Sequence, residues 1–149
     1  MSVAHTDAAV KPSLTLKRRL NAPAEKVYAA WTDPQKIAKW FGPDAGPVTK
    51  ADTDLRVGGR YTIAFQTENG DKHQVGGTYR EIVPNQKLVF TWAWHTTPER
   101  ESLVTITVKP DGAGSILTLQ HEMFVDEAAR DGHKRGWTGT LDKLEKLFA

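Results

Sequence analysis

Near the C-terminus the apolar and small residues fall at Val125, Ala128, Ala129, Gly132, Gly136, Trp137, Leu141, Leu144, Leu147 and Phe148. That is the three-and-four spacing of one buried helical stripe. The opposite face is charged, Asp126 suits an N-cap with Glu127 behind it, and Lys143 and Lys146 sit near the negative end of the dipole. The spacing predicts one long helix over 126–149, laid across a sheet. Gly132, Gly136 and Gly139 each cost about 1 kcal/mol relative to Ala in such a helix. A helix that carries them either presses bare backbone against a close neighbour or kinks there. Trp137, a bulky ring among small residues, has two readings: it covers a hollow, or it packs ridge-into-groove in a filled core.

Upstream, the period shortens to two. Residues 13–20 alternate as a strand and Asn21-Ala22-Pro23 ends it. Pro23 opens a helix over 24–32 with Val27, Tyr28 and Trp31 on one side. Asp33-Pro34 stops it and starts a second helix over 35–41, which carries Ile37, Trp40 and Phe41 inward and ends in Gly42-Pro43. Strands are predicted over 48–54, 60–66, 73–83, 87–95, 102–109 and 115–122. Gly58-Gly59 marks a bulge or bend, and Asn69-Gly70 predicts a type I′ hairpin turn. Parity places Tyr61, Ile63 and Phe65 on an inner face, with Phe90, Trp92 and Trp94, then Val104, Ile106 and Val108, then Leu117, Leu119, His121 and Met123. Thr62, Thr91, Thr105, Thr107, Thr118, Gln120 and Glu122 take the other face, which should meet water. The result is an α+β arrangement with one covered sheet face.

A chain of 149 residues suffices for one such domain, expected over 13–149 behind a flexible arm over 1–12. The net charge of +2 has its signs interspersed, which argues against a nucleic-acid partner. The Lys17-Arg18-Arg19 run reads as a solvated strand edge. With no cysteine there is no disulfide, thiolate nucleophile or Cys-based zinc site. The N-terminus lacks the basic start and apolar core of a secretory signal, and no run approaches the roughly 18 apolar residues of a membrane span. The expected location is cytoplasmic.

Several stretches occur in the order of a known family: RRLNAPAEKVYAAWTDPQKIAKWFGP (18–43), DLRVGGRY (54–61), GGTYREIVPNQKLVFTW (76–92), VTITVKPDGAGSILTLQHE (104–122) and GWTGTLDKLEKL (136–147). With them the chain resembles the activator-of-Hsp90-ATPase-homologue family of the START-like, Bet v 1-like superfamily. The resemblance implies a helix-grip fold, a curved antiparallel sheet of six or seven strands around the long C-terminal helix, with a cavity between them. The wider superfamily binds lipids, sterols, polyketides and plant hormones, and a minority of its members are enzymes. It supplies no common catalytic set to carry over.

The expected cavity lining is Tyr61, Phe65, Tyr79, Phe90, Trp92, Trp94, Val104, Ile106, Leu119, His121, His133 and Trp137, aromatic with a few polar tips as in small-molecule sites. The same residues also suit a filled core. His121 interrupts an apolar face; it is either a hydrogen-bonded core histidine or a general base. His133 lies one turn before Trp137, and His95 stands at a strand end. No metal or cofactor is expected: the five histidines are scattered, and Gly58-Gly59 and Gly76-Gly77 open no helix. Three functions stay open. The preferred one is a module that binds a small hydrophobic molecule. Another is a cyclase, lyase or hydrolase using His121 with Tyr61 or Tyr79, and the third is a partner of an Hsp90-type chaperone, by family analogy alone. The segment GPDAGP (42–47) reads as a mobile edge beside Trp40 and Phe41.

Overall fold

The computed structural model describes residues 11–149. Of the arm expected over 1–12, all but Lys11 and Pro12 lie outside the described residues, and the Pro12 carbonyl accepts a hydrogen bond from Phe124 N at 3.2 Å. The chain runs β1 (Leu14–Leu20), α1 (Ala24–Thr32), α2 (Pro34–Trp40), β2 (Val48–Thr53), β3 (Arg60–Gln66), β4 (Lys72–Val83), β5 (Lys87–Trp94), β6 (Ser102–Asp111), β7 (Gly114–Glu122) and α3 (Glu127–Leu147). All seven strands form one curved antiparallel sheet in the order β1-β7-β6-β5-β4-β3-β2. Leu16 stands opposite Leu119, Ile106 opposite Leu119, and Phe90 opposite Val104, so the apolar parity of each strand falls on one face.

Local chemistry sets the helix ends. Asp33 accepts from Gln35 N at 2.9 Å and Pro34 fills the first turn of α2, where its missing N–H costs nothing. Asp126 caps α3 by accepting from Ala129 N at 2.8 Å. Leu141 and Leu144 of α3, both fully buried, meet the core of Leu117, Leu119, Ile106 and Val104. Burying each such side chain stabilises by roughly 1.5–3 kcal/mol. Arg18, within the run read as a solvated edge, instead ties β1 to α3 through Asp142 at 2.7 Å and Glu145 at 3.3 Å.

Four local expectations differ from the structure. The β3–β4 hairpin has Gly70, not Asn69, at positive φ, and Gly70 N bonds to Thr67 O while Thr67 N bonds to Asp71 O. It is a three-residue loop with a left-handed glycine, in which the Asn69 side chain accepts from Asp71 N and Asn69 itself does not take a positive φ. Met123 does not continue the inner face. It takes φ 70° and is exposed, so the chain turns and Phe124 points inward in its place. Thr91 is buried, not wet: beside the side-chain-free Gly77 its hydroxyl accepts from Thr78 N at 2.8 Å. Finally, α3 runs without interruption, but Val125, Ala128 and Leu147 of its expected stripe are exposed. Gly139 accounts for the bare backbone, since a Cβ there would lie 2.3 Å from the Pro43 carbonyl oxygen.

Candidate functional site

The two halves of α3 differ in bulk, and the difference makes a hollow. The second half fills the core with Leu141 and Leu144, whereas Ala128, Ala129, Gly132 and Gly136 of the first half leave the sheet uncovered. A cleft of about 400 Å³ results. Phe65 of β3 with Trp92 and Trp94 of β5 form its floor, and His133, Trp137 and Thr140 descend from α3. Gly42 and Pro43, Thr67 and His73, and Arg100 from the β5–β6 turn close the sides.

The aromatic rings brace one another. Trp92 and Trp94 meet edge to face at 5.4 Å, Trp92 and Trp137 lie 5.0 Å apart, and Phe65 stands 6.1 Å from Trp94. Pairs of this geometry contribute about 0.5–1.5 kcal/mol beyond their buried area.

Every indole N–H of the cleft is consumed by a histidine. Trp94 Nε1 donates to His133 Nε2 at 3.0 Å, and Trp92 Nε1 donates to the same nitrogen at 3.3 Å. His133 Nε2 is therefore the unprotonated nitrogen, and Nδ1–H donates to Ala129 O at 2.7 Å. One layer deeper, Trp137 Nε1 donates to His121 Nδ1 at 3.0 Å. That leaves His121 Nε2–H to donate to Ser102 Oγ at 2.7 Å, and the Ser102 hydroxyl donates to Trp92 O at 3.2 Å. The two imidazoles lie 5.1 Å apart, with Phe124 against both.

Burial holds both rings neutral. It pushes the His121 pKa down to about 2, with His133 adding a smaller contribution in the same direction. The His133 pKa is lowered by burial, offset in part by the bond to Ala129. Burial, with Tyr79 beside it, drives Tyr61 well above the ordinary tyrosine range, and burial pushes Tyr79 up to about 12. The Tyr61 hydroxyl is spent on Thr91 O at 2.6 Å.

Of the twelve residues expected to line a cavity, Phe65, Trp92, Trp94, His133 and Trp137 surround this cleft together. Tyr61, Tyr79, Phe90, Val104, Ile106, Leu119 and His121 lie in the packed core. Pro43, Thr67, His73 and Arg100 were missed, because they sit in loops or at strand ends. The signal for the α3 side was present in the small residues of its first half.

The segment 42–47 is tied at several points. Lys143 Nζ donates to the carbonyls of Asp44 at 2.6 Å, Phe41 at 3.2 Å and Gly42 at 3.4 Å. The Asp44 carboxylate accepts from Gly46 N and Glu68 N, and these bonds, the Glu68 one first, hold its pKa below the usual range.

A seven-stranded antiparallel sheet curled around a long C-terminal helix, with an aromatic cleft between them, defines a helix-grip fold of the ligand-binding type. The chain belongs to the family described as Activator of Hsp90 ATPase homolog 1-like protein (AHSA1), whose model matches residues 21–149. Among solved structures it is similar to protein CV1439 from Chromobacterium violaceum, with 33% identity and a TM-score of 0.81 over 92% of this chain and 97% of that one. It is likewise similar to the AHSA1 protein from Silicibacter pomeroyi, with 30% identity and a TM-score of 0.80 over 91% and 96%. Protein NE0264 from Nitrosomonas europaea shows 26% identity and a TM-score of 0.76 over 91% and 92%. A comparison with curated proteins found no match. No described helix is long and apolar enough to cross a membrane.

Proposed function

We propose that this protein binds a small, flat, largely apolar molecule in the cleft between the sheet and the first half of α3. One observation carries the reading: the cleft of about 400 Å³ is walled by Phe65, Trp92, Trp94 and Trp137, and each of these indole N–H groups is bonded to histidine. Its size falls at the lower end of the roughly 300–1,000 Å³ of small-molecule sites. An apolar ligand covering these rings displaces water without stranding a donor.

The acid/base reading has less support. Both nitrogens of His121 are committed inside the core, and the Tyr61 hydroxyl is bonded to a backbone carbonyl. Neither residue lines the cleft. A chaperone partner of the Hsp90 type rests on the family's description alone.

The test is an NMR titration of the indole N–H signals of Trp92, Trp94 and Trp137 with fatty acids, phenolic polyketides and flavonoid-like compounds. Saturable joint shifts with one class support the proposal. Ligand-independent signals with every class would refute it.

A further inference from the structure

A census of the polar side chains around the cleft narrows the ligand class. The indoles of Trp92, Trp94 and Trp137 and both nitrogens of His133 are committed, as described above. The Thr67 hydroxyl is bonded within its own hairpin, to Asn69 and Asp71. The Thr140 hydroxyl donates back to Gly136 O at 2.8 Å. Lys143, just behind Gly42, spends its ammonium on three carbonyls. His73 and Arg100 are left. His73 stacks on Phe65 at 5.3 Å, and neither side chain makes a hydrogen bond or ion pair among the described residues.

Charge completes the pattern. Among the described residues no Asp or Glu lines the cleft. Glu101, next to Arg100 in the turn, is directed to Arg80 at 3.7 Å. Arg100 is thus a cation with five donors and no partner among the described residues, set at the mouth of an aromatic slot. A purely apolar ligand would leave that guanidinium idle. A ligand with one anionic end would place its rings on Trp92, Trp94 and Trp137 and its charge on Arg100.

Building on the ligand-binding reading, we infer that the cleft takes an aromatic organic acid and that Arg100 reads its carboxylate. The carboxylate accepts bidentate hydrogen bonds from the guanidinium, and the aromatic body supplies affinity by covering the floor.

The inference is tested with matched pairs that differ only in charge: naphthalene-2-carboxylate against naphthalene-2-carboxamide, and anthracene-2-carboxylate against its carboxamide. Binding is followed by the three indole signals at pH 7.5, for the native protein, Arg100→Gln and Arg100→Lys. Arg100 is exposed in a turn, so both variants should fold, which the unliganded spectrum checks. The native protein should prefer each acid over its amide by roughly threefold to tenfold, a range set by the exposure of the guanidinium. Added salt should weaken the acid and leave the amide unchanged. Arg100→Gln should bind acid and amide alike, and Arg100→Lys should keep part of the preference.

Equal binding of acid and amide to the native protein would overturn the inference and leave the cleft reading standing. A preference that survives in Arg100→Gln would remove Arg100 from the role. No indole shift with any of the four compounds would overturn the inference, and the broader ligand panel described above then decides the cleft reading.

Discussion

His121 makes stability depend on pH in a window where carboxylates do not interfere. In the folded chain it is neutral, held at about 2 by burial, whereas in the unfolded chain it titrates near its ordinary 6.5. The unfolded state therefore binds more protons at every pH between these values, and stability falls as pH falls below 6.5. From pH 7.5 to pH 5 the loss from one such group is about 2 kcal/mol, since 1.5 units at 1.36 kcal/mol each separate pH 5 from 6.5. That figure needs only that the folded ring stay neutral at pH 5. His133, whose pKa is also lowered, adds in the same direction. The structural cause is plain: protonating His121 Nδ1 would set a second donor against Trp137 Nε1–H, 3.0 Å away in a fully buried site. Urea unfolding followed by circular dichroism at pH 7.5 and pH 5 measures the loss. His121→Leu should be less stable at pH 7.5 by roughly 1–3 kcal/mol, because the Trp137 donor is orphaned. Its further loss on acidification should be about 2 kcal/mol smaller than that of the native protein. Equal pH dependence in the two proteins would refute the neutral-histidine argument.

Other substitutions separate packing from propensity. Gly139→Ala should destabilise by roughly 1–3 kcal/mol despite its better helix propensity, because the new Cβ would lie 2.3 Å from the Pro43 oxygen. Gly132→Ala, whose Cβ meets only Arg135 Nη2 at 3.8 Å, should instead stabilise by up to about 1 kcal/mol; thermal unfolding of the two variants decides. Lys143→Met should cost roughly 1–2 kcal/mol and speed amide exchange at Ala45 and Gly46, since it releases the carbonyls of Phe41, Gly42 and Asp44. Arg18→Met should cost at most about 1 kcal/mol at low salt and less at high salt, as read by urea unfolding.

Periodicity made the fold legible. Every strand and helix lies where the alternation or the three-and-four spacing put it, within two residues at each end, because each element buries one face. The errors fell where local chemistry overrode parity. At Met123 a left-handed residue turns the chain, and at Thr91 a glycine across the ladder makes room for a hydroxyl. The cleft was harder to read. Strand parity tells which face a residue occupies but not how far the helix stands from it. Tyr61, Phe90 and Trp92 share the inner face, yet only Trp92 lies beneath the small residues of α3. Arg100 carried no period at all, since turn residues are placed by the hairpin that holds them.

The histidine pair solves a problem that the tryptophans create. Three indoles meeting at one end of a sheet bring three N–H donors, each of which costs about 1–3 kcal/mol if buried without an acceptor. Carboxylates would satisfy them but would charge the site. A neutral imidazole accepts at one nitrogen and anchors itself with the other, as His133 does on Ala129 and His121 does on Ser102. Polarity is thereby confined behind the ring faces, and among the described residues that line the cleft Arg100, at the rim, carries a charge without a partner. On the proposed reading, a ligand entering this cleft would meet aromatic surface along its length and a cation at one end, and its orientation would be set by where its own charge sits.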